Sequence, residues 1–252
     1  MDEFAKLLTA VAAVLGAIAW PLTLLVLALL FRGALQTAFG RIPFLLDRVT
    51  KASIPGVKVE LERVANAQTD DKGGQVTLKQ KEAAARIAVE KQDVGSRPLL
   101  AELDRLCSEF DALRRTLPSG DIRTRAMTRI VVQMRSLAPS LIEYLDVYKS
   151  SGSVGSRLAA VAMMEMVPTS ADVEWLEGRF SSDPPFVFYH AALALQNVAD
   201  SRDMADGKLE IREVARRALQ QVKSFKGPPD RSTIEVLETL IASLNGIAHG
   251  RQ

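Results

Sequence analysis

Between Lys6 and Arg32 the chain reads LLTAVAAVLGAIAWPLTLLVLALLF, 25 consecutive residues without a charged side chain. As a helix this run reaches roughly 37 Å at the usual rise per residue, against about 30 Å of hydrocarbon in a bilayer. The segment 7–31 is therefore expected to be a single transmembrane helix. Pro21 is compatible with that, because neighbouring groups in a membrane bundle satisfy the carbonyl that a proline frees. A cleaved signal peptide fits less well, although Ala17-Ile18-Ala19 looks like a small-residue cleavage site. The start MDEFAK carries two acids and one lysine rather than a basic stretch, and the apolar run continues well past the site. A buried core helix of this length would outsize the modest domain that follows.

Flanking charge sets the expected orientation. One lysine lies in residues 1–6, whereas Arg32, Arg41, Arg48 and Lys51 follow the run. The positive-inside rule places the N-terminus outside and everything after the span in the cytoplasm. The single cysteine, Cys107, allows no intramolecular disulfide, in keeping with a reducing compartment.

Residues 32–64 are expected to hold a juxtamembrane amphipathic helix and one short strand. Leu35, Ala38, Phe39, Ile42, Leu46 and Val49 fall at helical spacing, on the membrane surface or against protein. Val57, Val59 and Leu61 then alternate with Lys58, Glu60 and Glu62, the period of a strand. The stretch 65–98, with Gly73-Gly74 and Gly95-Ser96, is expected to be a linker, partly helical, its apolar stripe thin.

From Leu99 to residue 248 every segment has helical periodicity, so the fold class is all-α. Leu99, Leu103, Leu106, Cys107, Phe110 and Leu113 share one face, which makes Cys107 a buried structural thiol. Ile122, Ala126, Ile130, Met134 and Leu137 form the next. Thr169 or Ser170 is expected to start the helix ADVEWLEGRF, and Asp183 to cap the one that begins at Pro184-Pro185. Ser232 and Glu235 have the spacing of a capping box.

RLAAVAMMEMVP, DVEWLEGRF and DPPFVFYHAALALQNVA together resemble the helix-pair grammar of HEAT-like repeats, over residues 153–225. That resemblance implies a curved stack presenting a binding surface, and a compact bundle is the alternative. The span with its Trp20-Pro21 pair, the basic flank and the short strand are similar to bacterial single-pass membrane proteins with a cytoplasmic HEAT-like helical domain, which implies the bacterial inner membrane.

Catalytic material is sparse. There are two histidines; His190 lies in an alanine-rich helix and His249 in the tail. No Cys/His spacing suits a metal and no glycine-rich loop suits phosphate, so no catalytic, metal or cofactor site is expected. A net charge of +2 argues against nucleic acid as a partner. One cluster stands out: Arg114, Arg115, Arg123, Arg125, Arg129 and Arg135 occur within 22 residues, Asp121 being the only acid among them. That pattern is a candidate patch for an anion or a partner. The expected partners are the lipid bilayer and a protein partner or a second copy of the chain. The expected function is a non-enzymatic, membrane-anchored interaction or scaffold module. The alternative is a membrane effector of a bacterial defence or signalling system that oligomerises and perturbs the membrane.

Overall fold

A computed structural model describes residues 55–68, 74–202, 205–227 and 230–249. They belong to one compact unit, Ser53–Gln252. Among the described residues every regular element is a helix: α1 Pro55–Asn66, α2 Leu78–Val94, α3 Ser96–Thr116, α4 Asp121–Leu137, α5 Leu145–Lys149, α6 Val154–Met166, α7 Val173–Ser182, α8 Pro185–Ser201, α9 Ala205–Ser224 and α10 Arg231–His249. Short 3₁₀ turns, Ala138–Tyr144 and Pro168–Ser170, follow α4 and α6. No helix among the described residues is long and apolar enough to cross a membrane. The expected span at 7–31 and the surface helix after it lie outside the described residues.

The short strand expected at 57–61 is corrected: this segment is α1. A strand would put Val57, Val59 and Leu61 on one face. The helix instead groups Val57, Leu61 and Val64, all buried, and leaves Val59 67% exposed. Burial against α2 and α4 decides between the two periods, because a lone strand has no partner for its backbone groups. Within the stretch expected as a linker, α2 buries Gln80, Ala83, Ala84 and Ile87. Its Lys91 ammonium donates to the Ser140 carbonyl at 2.7 Å and to Glu143 at 2.9 Å. The thin apolar stripe suffices because alanines let the backbones approach closely, so the packed body reaches back to α1.

Packing advances along the chain. α1 and α2 rest on α4, α3 and α4 on α6, α6 on α8, and α8 on α7, α9 and α10. The two central helices are covered on most sides, and small residues make this possible: Ala159, Ala160, Ala162, Ala191, Ala192 and Ala194 are all buried. The face expected on α3 is buried from Leu99 to Phe110, whereas Ile122 at the start of α4 is 72% exposed and stands outside the expected face.

Helix starts differ from expectation in an instructive way. Asp172, not Thr169 or Ser170, caps α7 by accepting from the Trp175 amide at 2.9 Å. Asp230, rather than a Ser232–Glu235 box, receives the Thr233 hydroxyl at 2.8 Å at the start of α10. Asp183 does not cap the helix that follows, whose N-cap is Pro184; it stands at the C-terminal end of α7. Its buried carboxylate is gripped by Arg157 at 2.7 and 3.0 Å and by Arg179 at 2.7 Å. Arg179 also lies over the Trp175 ring, 4.1 Å from its centroid. A carboxylate buried beside two arginines recovers more as an ion pair than as a cap.

Cys107 is buried in α3. Burial, and then the nearby charge of Asp104, push its thiol well above the usual range. Since the thiolate is the reactive form, native protein is expected to resist a maleimide reagent, with full labelling only after denaturation. Rapid labelling of the folded protein would contradict this burial.

Candidate functional site

The six arginines between 114 and 135 do not form one patch. Arg135 turns inward, its side chain fully buried against Glu165. Arg129 is exposed and pairs across to α1, with Asn66 at 2.8 Å and Glu62 at 3.3 Å. Arg115 and Arg125 are exposed. Only Arg114, near the end of α3, and Arg123, in the first turns of α4, come together, on the wall of one cleft.

The buried group is a closed charge cluster. The Arg135 guanidinium donates from Nε to Glu165 Oε2 at 2.7 Å and from Nη2 to Oε1 at 2.6 Å. Nη2 donates its other hydrogen to the Gly74 carbonyl at 2.9 Å. With both hydrogens of Nη2 so used, the 3.0 Å contact between His190 Nδ1 and Glu165 Oε1 is a hydrogen bond donated by the ring. Desolvation by itself would raise the Glu165 carboxyl, but Arg135 and then His190 outweigh it and hold it below the usual carboxylate range. The side chains of all three residues are excluded from solvent, so no substrate touches them while the fold is closed. Sequence reasoning placed Arg135 in a surface patch and passed over Glu165. The signal was there: Glu165 is the only charge in AAVAMMEMV, an apolar run on which an acid needs a buried partner.

The cleft holds about 240 Å³ between the α3–α4 turn, the start of α8 and the start of α10. Arg123 donates to the Leu117 carbonyl at 3.2 Å and to the Ser119 hydroxyl at 2.6 Å, which fixes the turn and the guanidinium together. Arg114 has no hydrogen bond or ion pair among the described residues. Burial, and then the charge of Arg123, lower its pKa from the ordinary value, while Asp111 and Asp183 oppose the shift from a distance. Both acids are engaged elsewhere, Asp111 by the Ser153 hydroxyl at 2.6 Å and the Gly155 amide at 2.8 Å.

Apolar and aromatic groups complete the walls: Met127, Pro184, Pro185, Phe186 and Tyr189. The Phe186 ring packs on His190, centroids 4.8 Å apart, and on Phe110 at 5.8 Å, so that wall is anchored in the core. Among the described residues Asp230 contributes the one carboxylate. Among the described residues no group of His, Cys, Asp and Glu is arranged to hold a metal ion. The arrangement is suited to binding an anionic group beside an apolar one. Compared with protein-family models, curated proteins and solved structures, the chain matches none.

Proposed function

We propose that this chain is a membrane-anchored, non-enzymatic interaction module whose helical domain binds a protein partner on the cytoplasmic side of a bacterial inner membrane. The anchor rests on the 25 uncharged residues at 7–31 and the basic residues that follow them. The observation that carries the binding role is the Arg114–Arg123 cleft, in which two guanidiniums face a concave, partly aromatic surface. The other strongly held charges serve the fold, in the Arg135–Glu165–His190 and Arg157–Asp183–Arg179 groups. Packing of the helices in chain order supports the stacked-helix reading of residues 153–225, an architecture that offers extended binding surfaces.

Fractionation of cells expressing the full chain tests the anchor. The protein is expected to stay with the membranes through an alkaline carbonate wash, and a chain lacking residues 1–31 is expected to become soluble. Release of the full chain by the wash would overturn the anchor. Loss of membrane potential in expressing cells, abolished by the same deletion, would favour an effector over an interaction module.

A further inference from the structure

We infer that the Arg114–Arg123 cleft docks an acidic peptide segment of a partner protein, one carboxylate lying between the two guanidiniums and a neighbouring aromatic or aliphatic side chain lying on the Phe186–Tyr189 wall. This deepens the partner-binding reading of the same cleft and does not depend on the membrane anchor.

The placement of charge favours an incoming anion. A folded chain gains nothing by holding a half-buried guanidinium beside a second one with no acid in contact, and mutual repulsion and desolvation both oppose it. Among the described residues Arg114 is held in that way, while other buried arginines are matched closely with carboxylates. An incoming anion supplies the missing partner, and the planar guanidinium suits a two-oxygen group.

Charge complementarity favours a single carboxylate. Two guanidiniums and the Asp230 carboxylate leave the cleft with one net positive charge. A single carboxylate balances it, whereas a dianionic phosphate would overfill it and face Asp230 as well. Asp230 is held in place by the Thr233 hydroxyl, so it does not swing away to make room for more negative charge.

The shape of the cleft favours a peptide. Apolar walls beside the arginines fit side chains more than a hydrated ion, and interface anchors are commonly aromatic groups seated in such pockets. A second groove of about 620 Å³ adjoins the cleft, sharing Pro185 and Asp230 with it. Phe188, Val222, Phe225 and Ile234 line that groove together with Lys226, and its other charged members are paired, Lys223 with Glu238 and Asp183 with Arg157 and Arg179. The Phe188 and Phe225 rings are stacked there, centroids 5.9 Å apart. A peptide leaving the cleft thus meets a continuing apolar track.

The test is selection of a displayed random peptide library on the full chain in detergent micelles, followed by fluorescence anisotropy of the selected peptides. Enrichment of Asp or Glu next to Phe, Trp, Tyr or Leu is expected. Arg114→Gln is expected to weaken the selected peptides about tenfold or more, the scale of a lost charge-assisted hydrogen bond, with part of the affinity restored in Arg114→Lys. Arg125→Gln, in the same arginine-rich stretch but outside the cleft, is expected to bind as before. Because Arg114 has no hydrogen bond or ion pair among the described residues, Arg114→Gln should also keep the native Tm, which separates a binding role from a structural one. Selection of peptides without acids would overturn the proposal, as would binding unchanged in Arg114→Gln. Inorganic phosphate that binds in the cleft while no acidic peptide does would overturn it in favour of a small-anion site. A failed membrane fractionation leaves all of these readings intact, so the two ideas fail separately.

Discussion

Arg135→Met is expected to lower the unfolding free energy by about 3–5 kcal/mol, the usual consequence of leaving one member of a buried ion pair without the other. Glu165 then remains excluded from solvent with His190 alone beside it, and the Gly74 carbonyl loses the donor that Nη2 supplied. Domains have about 5–15 kcal/mol in total, so the loss is visible in urea unfolding as a lower midpoint at unchanged slope. Replacing both partners, as Arg135→Met with Glu165→Leu, is expected to recover part of it, since an apolar pair of similar volume leaves no buried charge. Equal stability of the single variant and the native chain would show that the cluster does not hold the core.

The same cluster predicts a pH dependence. The folded Glu165 carboxyl lies below its ordinary value of 4.5. Its contribution is therefore complete above that value and is lost as pH falls through it toward the lower folded pKa. Thermal unfolding followed from neutral to acidic pH should show Tm falling over that window. A Glu165→Gln chain, less stable at neutral pH, should show a shallower fall.

The second large effect is at Gly155, in the first turn of α6. In most helices Gly→Ala adds stability, up to about 1 kcal/mol. Here a Cβ would run into the Cys107 backbone of α3, meeting the carbonyl oxygen, with the carbonyl carbon at 2.8 Å and Cα at 2.9 Å. Backbone does not move aside as a flexible side chain does. The Gly155 amide is also held by Asp111 at 2.8 Å, which keeps the two helices in register. Gly155→Ala is expected to destabilise by about 3 kcal/mol, at the upper end of overpacking effects. Gly178 in α7 is the internal comparison: nothing lies within 4 Å of its added Cβ, so Gly178→Ala is expected to raise the unfolding midpoint. Chemical denaturation of the two variants side by side reads the opposite signs directly.

The two glycines show how far local pattern reaches. Both sit in helices, and sequence alone gives no reason to treat them differently. Apolar periodicity identified α3, α4 and the helices from α6 to α10, because a face that must be buried repeats at the helical period. It misjudged residues 57–61, where three alternating apolar residues satisfy a strand template while Val64, one helical turn beyond Leu61, makes the helical face larger. It also undervalued α2, since alanines carry little hydrophobic signal yet allow a close approach.

Charges were the least legible part. Six arginines in 22 residues read as one basic patch, but their directions depend on where α4 sits against α3, α6 and α8. Fewer than two turns of helix separate Arg129, paired on the surface, from Arg135 in the core. Asp183 carried the chemistry of a cap and was taken by two arginines from α6 and α7.

What the sequence by itself determined is the uncharged run at 7–31 with its basic flank, the helical character from Leu99 onward, and the burial of Cys107 on an apolar face. These follow from composition and period along a single segment. Only the tertiary structure decided that α1 is a helix, that Arg135 belongs with Glu165 and His190, and that Arg114 and Arg123 share a cleft with Phe186 and Tyr189. Those outcomes depend on which faces meet across elements far apart in the chain, and side-chain charge is assigned its partner only when that packing is complete.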